Sequence, residues 1–548
     1  MNERAFNLLH EPWILVMKPD GVTEEVSLLE LFRRAPEFQG LAGELPTQDV
    51  AVLRLLLAIL HAVFGRYDLN GDFAPFSSPA GALTRWKALW DRGAFPMEIM
   101  EDYLLHFEDR FYLFHPERPF YQVAALRDRD DKFGPFEASK LNGELAESDH
   151  KVRLFPLRTG KSKNALRYAE AIRWLLYVNA FSETFGKLEA KGKQSKNSPS
   201  LGVGWLGKLG LVTAVGDNLF ETLLLNLIFL KDGENELWGE EKPVWEAKTV
   251  TVAERREITM PDNPSEILTL QSRRLLLKLD GDSVTGYSLL SGDFFPKENT
   301  FAEQMTVWRN TAKKKTDPPI YYPRRHEPAR QLWRDFSALV AQSEGNRRPG
   351  VVSWLARLKS DCLIPRSHFR FMTAAVSYGT MEAVIEDVFS DSVSFNANLL
   401  TDLGDDWVSR IIGEIDTTEQ LVEQVGYLAQ SLAKAAGDKD GTGRKTTAAK
   451  EQAYFRLDKP FREWLAGIDP ERDEMNEACD RWWEQAKRIV QDLGRELIRQ
   501  SGPQAFVGRD VKEGAKGKEV TRRYTAPKSY NYFRNKTSNP EVLKGGKI

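Results

Sequence analysis

Residues 151–210 place the strongest constraint on how this chain can fold. They hold twelve Lys/Arg against three Glu and no Asp, a local balance of +9 in a chain of 548 residues whose formal total is −3. So basic a stretch resists burial, because an unpaired buried charge is costly. Yet its middle repeats Leu166, Ala169, Ile172 and Leu176 at three- and four-residue steps. That period predicts a packed helix from about Ala165 to Phe185, with Gly186 as its stop. The basic ends must then be loops hung on one packed helix: Lys151–Lys163 before it and the glycine- and serine-containing Lys191–Gly204 after it. Basic side chains release counterions from phosphate, and glycines let a backbone come close to a ligand. The pattern fits a polyanion surface; the same charge density fits solvated surface loops equally.

Upstream, Glu11–Met17 and Val22–Val26 read as strands around the turn Pro19-Asp-Gly21. Ser27-Leu-Leu-Glu30 is a capping box opening a helix to Arg34. Thr47 is the expected N-cap of a helix ending near Phe64, with Gly65 as its stop. Leu53, Leu55, Leu56 and Leu57 surround its axis, so it should be buried and His61 should be a core histidine. Leu83–Arg92 and Met97–His106 should be helices, Arg110–Gln122 an irregular packed segment, and Arg127–His150 a connecting loop. Downstream, Asp217 should cap a helix to about Lys231. Leu275–Leu279 and Ser283–Leu290 should be strands about Asp280-Gly281. Lys313–Arg325 should be a proline-rich basic loop.

The pattern changes after about Asp402. Asp416-Thr-Thr-Glu419 is a cap, and Leu421, Val425, Leu428, Leu432 and Ala435 share a helical face. Gln452–Leu465 and Asp473–Gly502 are two further helices, with Trp482-Trp483 expected in the core. A fourth helix is needed to cover these faces, with Tyr378–Ser390 or Asp405–Ile412 as candidates. The fold class is therefore α+β: a mixed N-terminal α/β domain over 1–400, then a C-terminal four-helix bundle over 401–548. The tail from Val507 to Ile548 has eleven Lys/Arg against four Asp/Glu, with Tyr524, Tyr530, Tyr532 and Phe533 interleaved. Such a tail fits nucleic acid or a disordered solubilising segment.

No apolar run approaches 18 residues, and the longest, Val52–Phe64, is broken by Arg54 and His61, so no membrane span is expected. The N-terminus lacks a signal-peptide pattern, and two distant cysteines, Cys362 and Cys479, support neither a disulfide framework nor a cysteine zinc site. A cytoplasmic protein is the expectation. No phosphate-binding loop, nucleophile elbow or zinc-protease signature occurs, and Gly202-Val-Gly204 with Gly207 is a poor dinucleotide fingerprint. No cofactor and no catalytic residue is assigned, and a binding role is favoured. The alternative is a histidine-dependent nuclease using His10 or His115.

Three stretches resemble a known family. Asn7-Leu-Leu-His-Glu-Pro-Trp-Ile14 resembles the start of CasA, the large subunits of the type I-E CRISPR surveillance complex Cascade. Phe111-Tyr-Leu-Phe-His-Pro-Glu-Arg-Pro-Phe-Tyr-Gln122 resembles its second signature, and the basic loop, helix and glycine loop follow in the family's order. The resemblance implies a non-catalytic recognition subunit with other Cascade subunits, crRNA, double-stranded target DNA and a recruited helicase-nuclease as partners. Such a subunit meets the crRNA 5′ end, reads the protospacer-adjacent motif (PAM) and helps start strand opening. By the same resemblance, Leu154, Phe155, Arg158, Lys161 and Lys163 form the crRNA-contacting loop. Asn197, Ser198, Ser200, Gly202, Gly204, Lys208 and Lys297 contact the PAM and DNA. Gly379, Thr380 and Met381 form a strand-separating wedge. Ser198-Pro199-Ser200 interrupts glycines that run consecutively in other members, and the cysteine cluster that some members carry for zinc does not occur in this sequence.

Overall fold

Strand Ile14–Met17 pairs antiparallel with Thr23–Val26 on one side and Gly40–Leu41 on the other. The side chain of Ser27 then accepts the Glu30 N–H at 3.2 Å and opens helix Leu28–Arg34. This much follows the sequence reading closely, since turn and cap are local signals. The computed structural model describes residues 5–127, 136–145, 157–184, 202–247, 256–312, 314, 317–341, 347–438, 441–513 and 520–543. They divide into two compact units. One comprises Met1–Leu332, Ala338–Pro365 and Arg370–Ser392; the other comprises Trp333–Ser337, Arg366–Phe369 and Val393–Ile548.

The first unit is built on helix Pro46–Phe64, buried on every side. Thr47 does not cap it. The helix starts at Pro46, whose fixed φ suits the first turn, and the freed N–H groups upstream go elsewhere: Gly43 N–H to Asp49 and Glu44 N–H to Gln48. At 19 residues this helix is long and apolar enough to cross a bilayer, contrary to the sequence estimate. With 94% of its apolar window buried, it is the core helix of this unit. His61 is a core residue, edge-on to Phe229 and with Nδ1 3.6 Å from Glu241. Arg54 makes a two-pronged pair with Glu303, 2.9 Å on each arm, and both are about 1% exposed.

Against the core helix packs a second helix, Tyr168–Phe181, which carries the basic segments and is called the carrier helix below. It is shorter than expected at both ends. The Glu170 carboxylate takes the Arg167 N–H at 3.1 Å and fixes the start, while Phe185 and Gly186 lie outside the described residues. Its Arg173, 2% exposed, binds Glu44 and the Trp13 carbonyl and ties the helix to the first sheet.

Strands Arg273–Asp280 and Ser283–Ser291 form the expected hairpin, to which Phe136–Glu137 adds a third strand. Part of the region read as a connecting loop is thus ordered, with helical turn Ala138–Leu141 following that strand. Strand Tyr112–Phe114 likewise lies in the segment read as irregular. The helix expected from Asp217 to Lys231 runs only from Leu219 to Leu225, capped by Asn218. Asn226 ends it because its amide pairs with the Ala214 backbone in both directions, at 3.0 and 2.7 Å, as a strand neighbour would. Ala214 belongs to strand Thr213–Val215, which joins His368–Tyr378 and Ile385–Asn396 in a three-stranded sheet. Tyr378–Ser390 is therefore the turn and outgoing strand of a hairpin, not a helix.

In the second unit, helices Asp405–Ala436, Thr442–Gly467 and Met475–Gln500 pack together. The first begins eleven residues before the expected cap at Asp416, because Trp407, Ile411 and Ile415 extend its buried face upstream. Thr417 and Thr418 turn their hydroxyls onto the carbonyls of Gly413 and Glu414 inside the helix. Trp482 and Trp483 are buried as expected. Trp482 stacks on Trp464 at 5.6 Å and donates to Thr418. The covering helix comes from the tail. Arg509–Glu513 and Val520–Tyr524 form a hairpin, and Ala526–Lys536 lays Phe533, 1% exposed, where Gly494 leaves room. A Cβ on Gly494 would sit 2.2 Å from that ring. The described part of the tail is thus folded.

Candidate nucleic-acid interface

The carrier helix ends at Phe181, and the second basic segment returns beside it: the Gly204 N–H donates to the Ser182 carbonyl at 2.9 Å. Trp205, 4% exposed, donates its indole N–H to Glu303 at 2.9 Å, so the buried Arg54–Glu303 pair anchors this return. Arg273, 1% exposed, donates to the carbonyls of Gly202 at 2.8 Å and Glu183 at 3.2 Å. Burial lowers its guanidinium to about 10, which leaves it charged at neutral pH. Gly207 faces Tyr378, where any Cβ would lie 2.2 Å from the phenol oxygen. That phenol donates to the Phe181 carbonyl at 2.7 Å, which docks the sheet hairpin on the end of the carrier helix.

The hairpin turns at Gly379–Val384, closed by Gly379 N–H to Val384 carbonyl at 2.8 Å. Met381 and Glu382 both adopt left-handed backbone, at φ 56° and 57°. This is uncommon for side chains of their kind. Met381 is 83% exposed at the tip. Glu382 ties the turn down: its carbonyl accepts the Thr184 N–H at 2.8 Å, and its carboxylate accepts Arg325 at 2.7 Å and the Thr184 hydroxyl at 3.4 Å. Arg325 also lies over the Tyr378 ring, 5.3 Å from its centroid.

Lys208 stands within the field of this group. Burial, then the charges of Arg273, Lys297 and Arg325, bring its ammonium down to about 7, with Glu382 a partial offset. Its Nζ is 5.9 Å from the Trp205 ring centroid, and Lys297, exposed, sits at the same distance over Tyr322. Gly202, Gly204, Lys208, Lys297, Gly379, Thr380 and Met381, assigned separately from sequence, thus belong to one neighbourhood. Asn197, Ser198 and Ser200 lie outside the described residues. Arg273, Arg325 and Glu382 were missed. The basic loop ending at Arg325 was a signal, but nothing local in the sequence links it to Glu382, 57 residues on.

The first basic segment is described from Leu157, so Leu154 and Phe155 lie outside. Gly160–Asn164 is a short helical turn, pinned where the Asn164 side chain accepts the Ser139 N–H and donates to Glu137. Arg158 is engaged internally, forked onto Glu170 at 2.7 and 3.3 Å. Burial pushes the Glu170 carboxyl up, but Arg158 and the Arg167 N–H together outweigh it and hold the group below its ordinary range. Lys161 is exposed on the turn and Lys163 is half-buried. Of the histidines, His10 lies 3.1 Å from Glu108. His115 is buried, its Nδ1 accepting the N–H groups of Glu117 and Arg118. Among the described residues no three metal-ligating side chains cluster.

Comparison with known proteins agrees over nearly the whole chain. The family model for CRISPR-associated protein Cse1 matches residues 7–493. CRISPR-associated protein CasA/Cse1 of Thermus thermophilus is 28% identical over 515 residues, 90% of this chain and 94% of that protein. The crystal structure of Thermobifida fusca Cse1 superposes with a TM-score of 0.81 at 32% identity, covering 99% of each chain. A chain of a CRISPR RNA-guided surveillance complex shares the fold at TM-score 0.67 and 18% identity, over 98% of this chain and all of that one.

Proposed function

From the premise that the chain belongs to the CRISPR-associated Cse1 (CasA) family, a family found in CRISPR surveillance complexes, we propose that it is the non-catalytic large subunit of a type I-E complex. In this reading it recognises the PAM in duplex DNA, contacts the crRNA 5′ end and helps start strand opening. It then positions the recruited helicase-nuclease, in the cytoplasm. The observation that carries the reading is the convergence of Gly202–Lys208, Lys297 and the tip of the sheet hairpin, with Met381 exposed at its end. Base pairing with a guide can read the target, while protein need read only a short duplex motif. Glycine backbone and a lysine suit the minor groove, whose pattern is coarse, and an apolar side chain at a rigid turn can part stacked bases there. Opening costs about 1–2 kcal/mol per base-pair step, which tip insertion and phosphate contacts offset. On the pinned turn Gly160–Asn164, Lys161 and Lys163 serve the crRNA end.

The test is strand opening by the assembled complex, followed with a fluorescent base analogue beside the PAM. Met381→Asp puts a charge where stacking is needed and leaves the solvent-exposed site able to fold. Opening should slow by about tenfold, the equivalent of one base-pair step, with crRNA loading unchanged. Equal rates for the two proteins would refute the wedge.

A further inference from the structure

Beside the hairpin tip, the charges of Arg273, Lys297 and Arg325 all act on Lys208. The carboxylate of Glu382 reaches in from the tip. One oxygen takes Arg325 at 2.7 Å; the other lies 3.4 Å from the Thr184 hydroxyl and 3.7 Å from where a Cβ on Gly202 would stand. The Lys208 side chain approaches that same point, with Cε at 3.9 Å, so lysine and carboxylate flank one glycine. Burial also pushes the nearby Glu183 carboxyl up, and even with both carboxylates counted the four cations outnumber them. Positive charge is in excess, and the depressed Lys208 registers that excess. Arg273 supplies a second sign: it is 1% exposed, and its Nε is buried without a hydrogen-bond partner. The turn accepts left-handed backbone at Glu382 itself, an unfavourable conformation that holds this carboxylate at the cluster.

Carboxylate and phosphate are the two anions that a guanidinium reads with the same planar fork. We propose that Lys208, Arg325 and Lys297 form a phosphodiester-binding site of this chain, which Glu382 occupies in the absence of DNA as an internal anion that the DNA backbone displaces. The inference rests on the reading above, in which this face meets duplex DNA. Exchange breaks the Arg325–Glu382 pair but leaves the tip fastened, because the Thr184 N–H to Glu382 carbonyl bond does not involve the carboxylate. Stray phosphate must compete with a tethered rival, so only a duplex that gains further contacts at the tip wins. The rival carboxylate thereby supplies discrimination by opposing the wrong ligand.

The experiment is fluorescence anisotropy of the full-length chain with a labelled duplex of about 20 base pairs across a salt series. It compares wild type, Glu382→Gln, Arg325→Gln and the double variant. Glu382→Gln should bind about tenfold tighter and steepen the salt slope by about 0.9, one phosphate's worth. Arg325→Gln should weaken binding, and the double variant should match it, because without Arg325 the carboxylate has little to guard. Glu382→Asn removes the same charge and suits the left-handed turn, so it should tighten binding equally; thermal midpoints establish that the variants fold. Folded Glu382→Gln and Glu382→Asn proteins that bind no tighter than wild type overturn the inference. Assembled complexes with PAM and non-PAM duplexes separate the two ideas. Equal tightening on both by a complex that does not discriminate between them keeps the anion site and removes the PAM reading. Discrimination without tightening does the reverse.

Discussion

A single lysine gives the interface a pH signature. Lys208 is held at about 7 by burial and by neighbouring cations, against about 10.5 for a free lysine. The unfolded chain therefore binds this proton more tightly than the folded one. Below pH 7 the group is charged in both states and its full cost weighs on the fold; the cost shrinks as pH rises from 7 toward 10.5. Lys208→Met should raise the unfolding free energy by something on the order of 1 kcal/mol at pH 6, discounted because the side chain keeps some access to water, and by less at pH 9. Urea titrations at the two values check this. A gain that grows with pH would contradict the burial of Lys208. In the proposed site only the protonated lysine attracts phosphate, so affinity for DNA should fall as pH passes through about 7. This property was not legible in the sequence, where Lys208 is one of twelve cations within residues 151–210. Its neighbours Arg273 and Arg325 are 65 or more positions away, and only the fold brings them close.

At the scale of elements, the carrier helix is secured at its first turn by one carboxylate. Glu170 caps the Arg167 N–H and forks onto Arg158, so it fixes both the helix start and the basic turn before it. Glu170→Ala removes a capping partner and leaves Arg158 unpaired. It should cost about 1–2 kcal/mol and make Leu157–Asn164 the first site of limited proteolysis. An unchanged cleavage pattern would show that Asn164 alone holds the turn. The helix itself was legible because its apolar period is local and strong; its ends were not, since they depend on Glu170 and on Ser182 meeting Gly204. The same division recurs elsewhere. Ser27 announces a helix start and Gly281 a turn, and the structure keeps both. Asp416-Thr-Thr-Glu419 imitates a cap, but the buried face of Trp407, Ile411 and Ile415 continues the helix through it. Asn226 stops another helix early, because a strand it cannot foresee offers its amide two partners.

For the whole molecule, a formal charge of −3 means that binding to polyanions depends on local cation clusters and not on overall attraction. The fold resembles Cse1 structures from end to end. The family match stops at residue 493, while the helix that covers the second unit's core lies beyond it, at Ala526–Lys536. Phe533 is its keystone. Phe533→Ala should destabilise the second unit by about 3–5 kcal/mol, read as a lower denaturation midpoint; a shift under a third of that would mean the tail is dispensable. Composition alone left this tail open between a nucleic-acid arm and a disordered one, because aromatic residues among lysines look alike until a socket such as Gly494 is found for one of them. The carrier helix holds a last consequence. Its 14 residues span about 21 Å, with the turn Gly160–Asn164 pinned before one end and Gly204 bonded to Ser182 beyond the other. Adding one residue would swing one end about 100° around the other, whereas adding four would lengthen the span by about 6 Å and nearly restore the bearing. The helix is thus a spacer with a stepped scale, and relatives that alter its length should do so by whole turns.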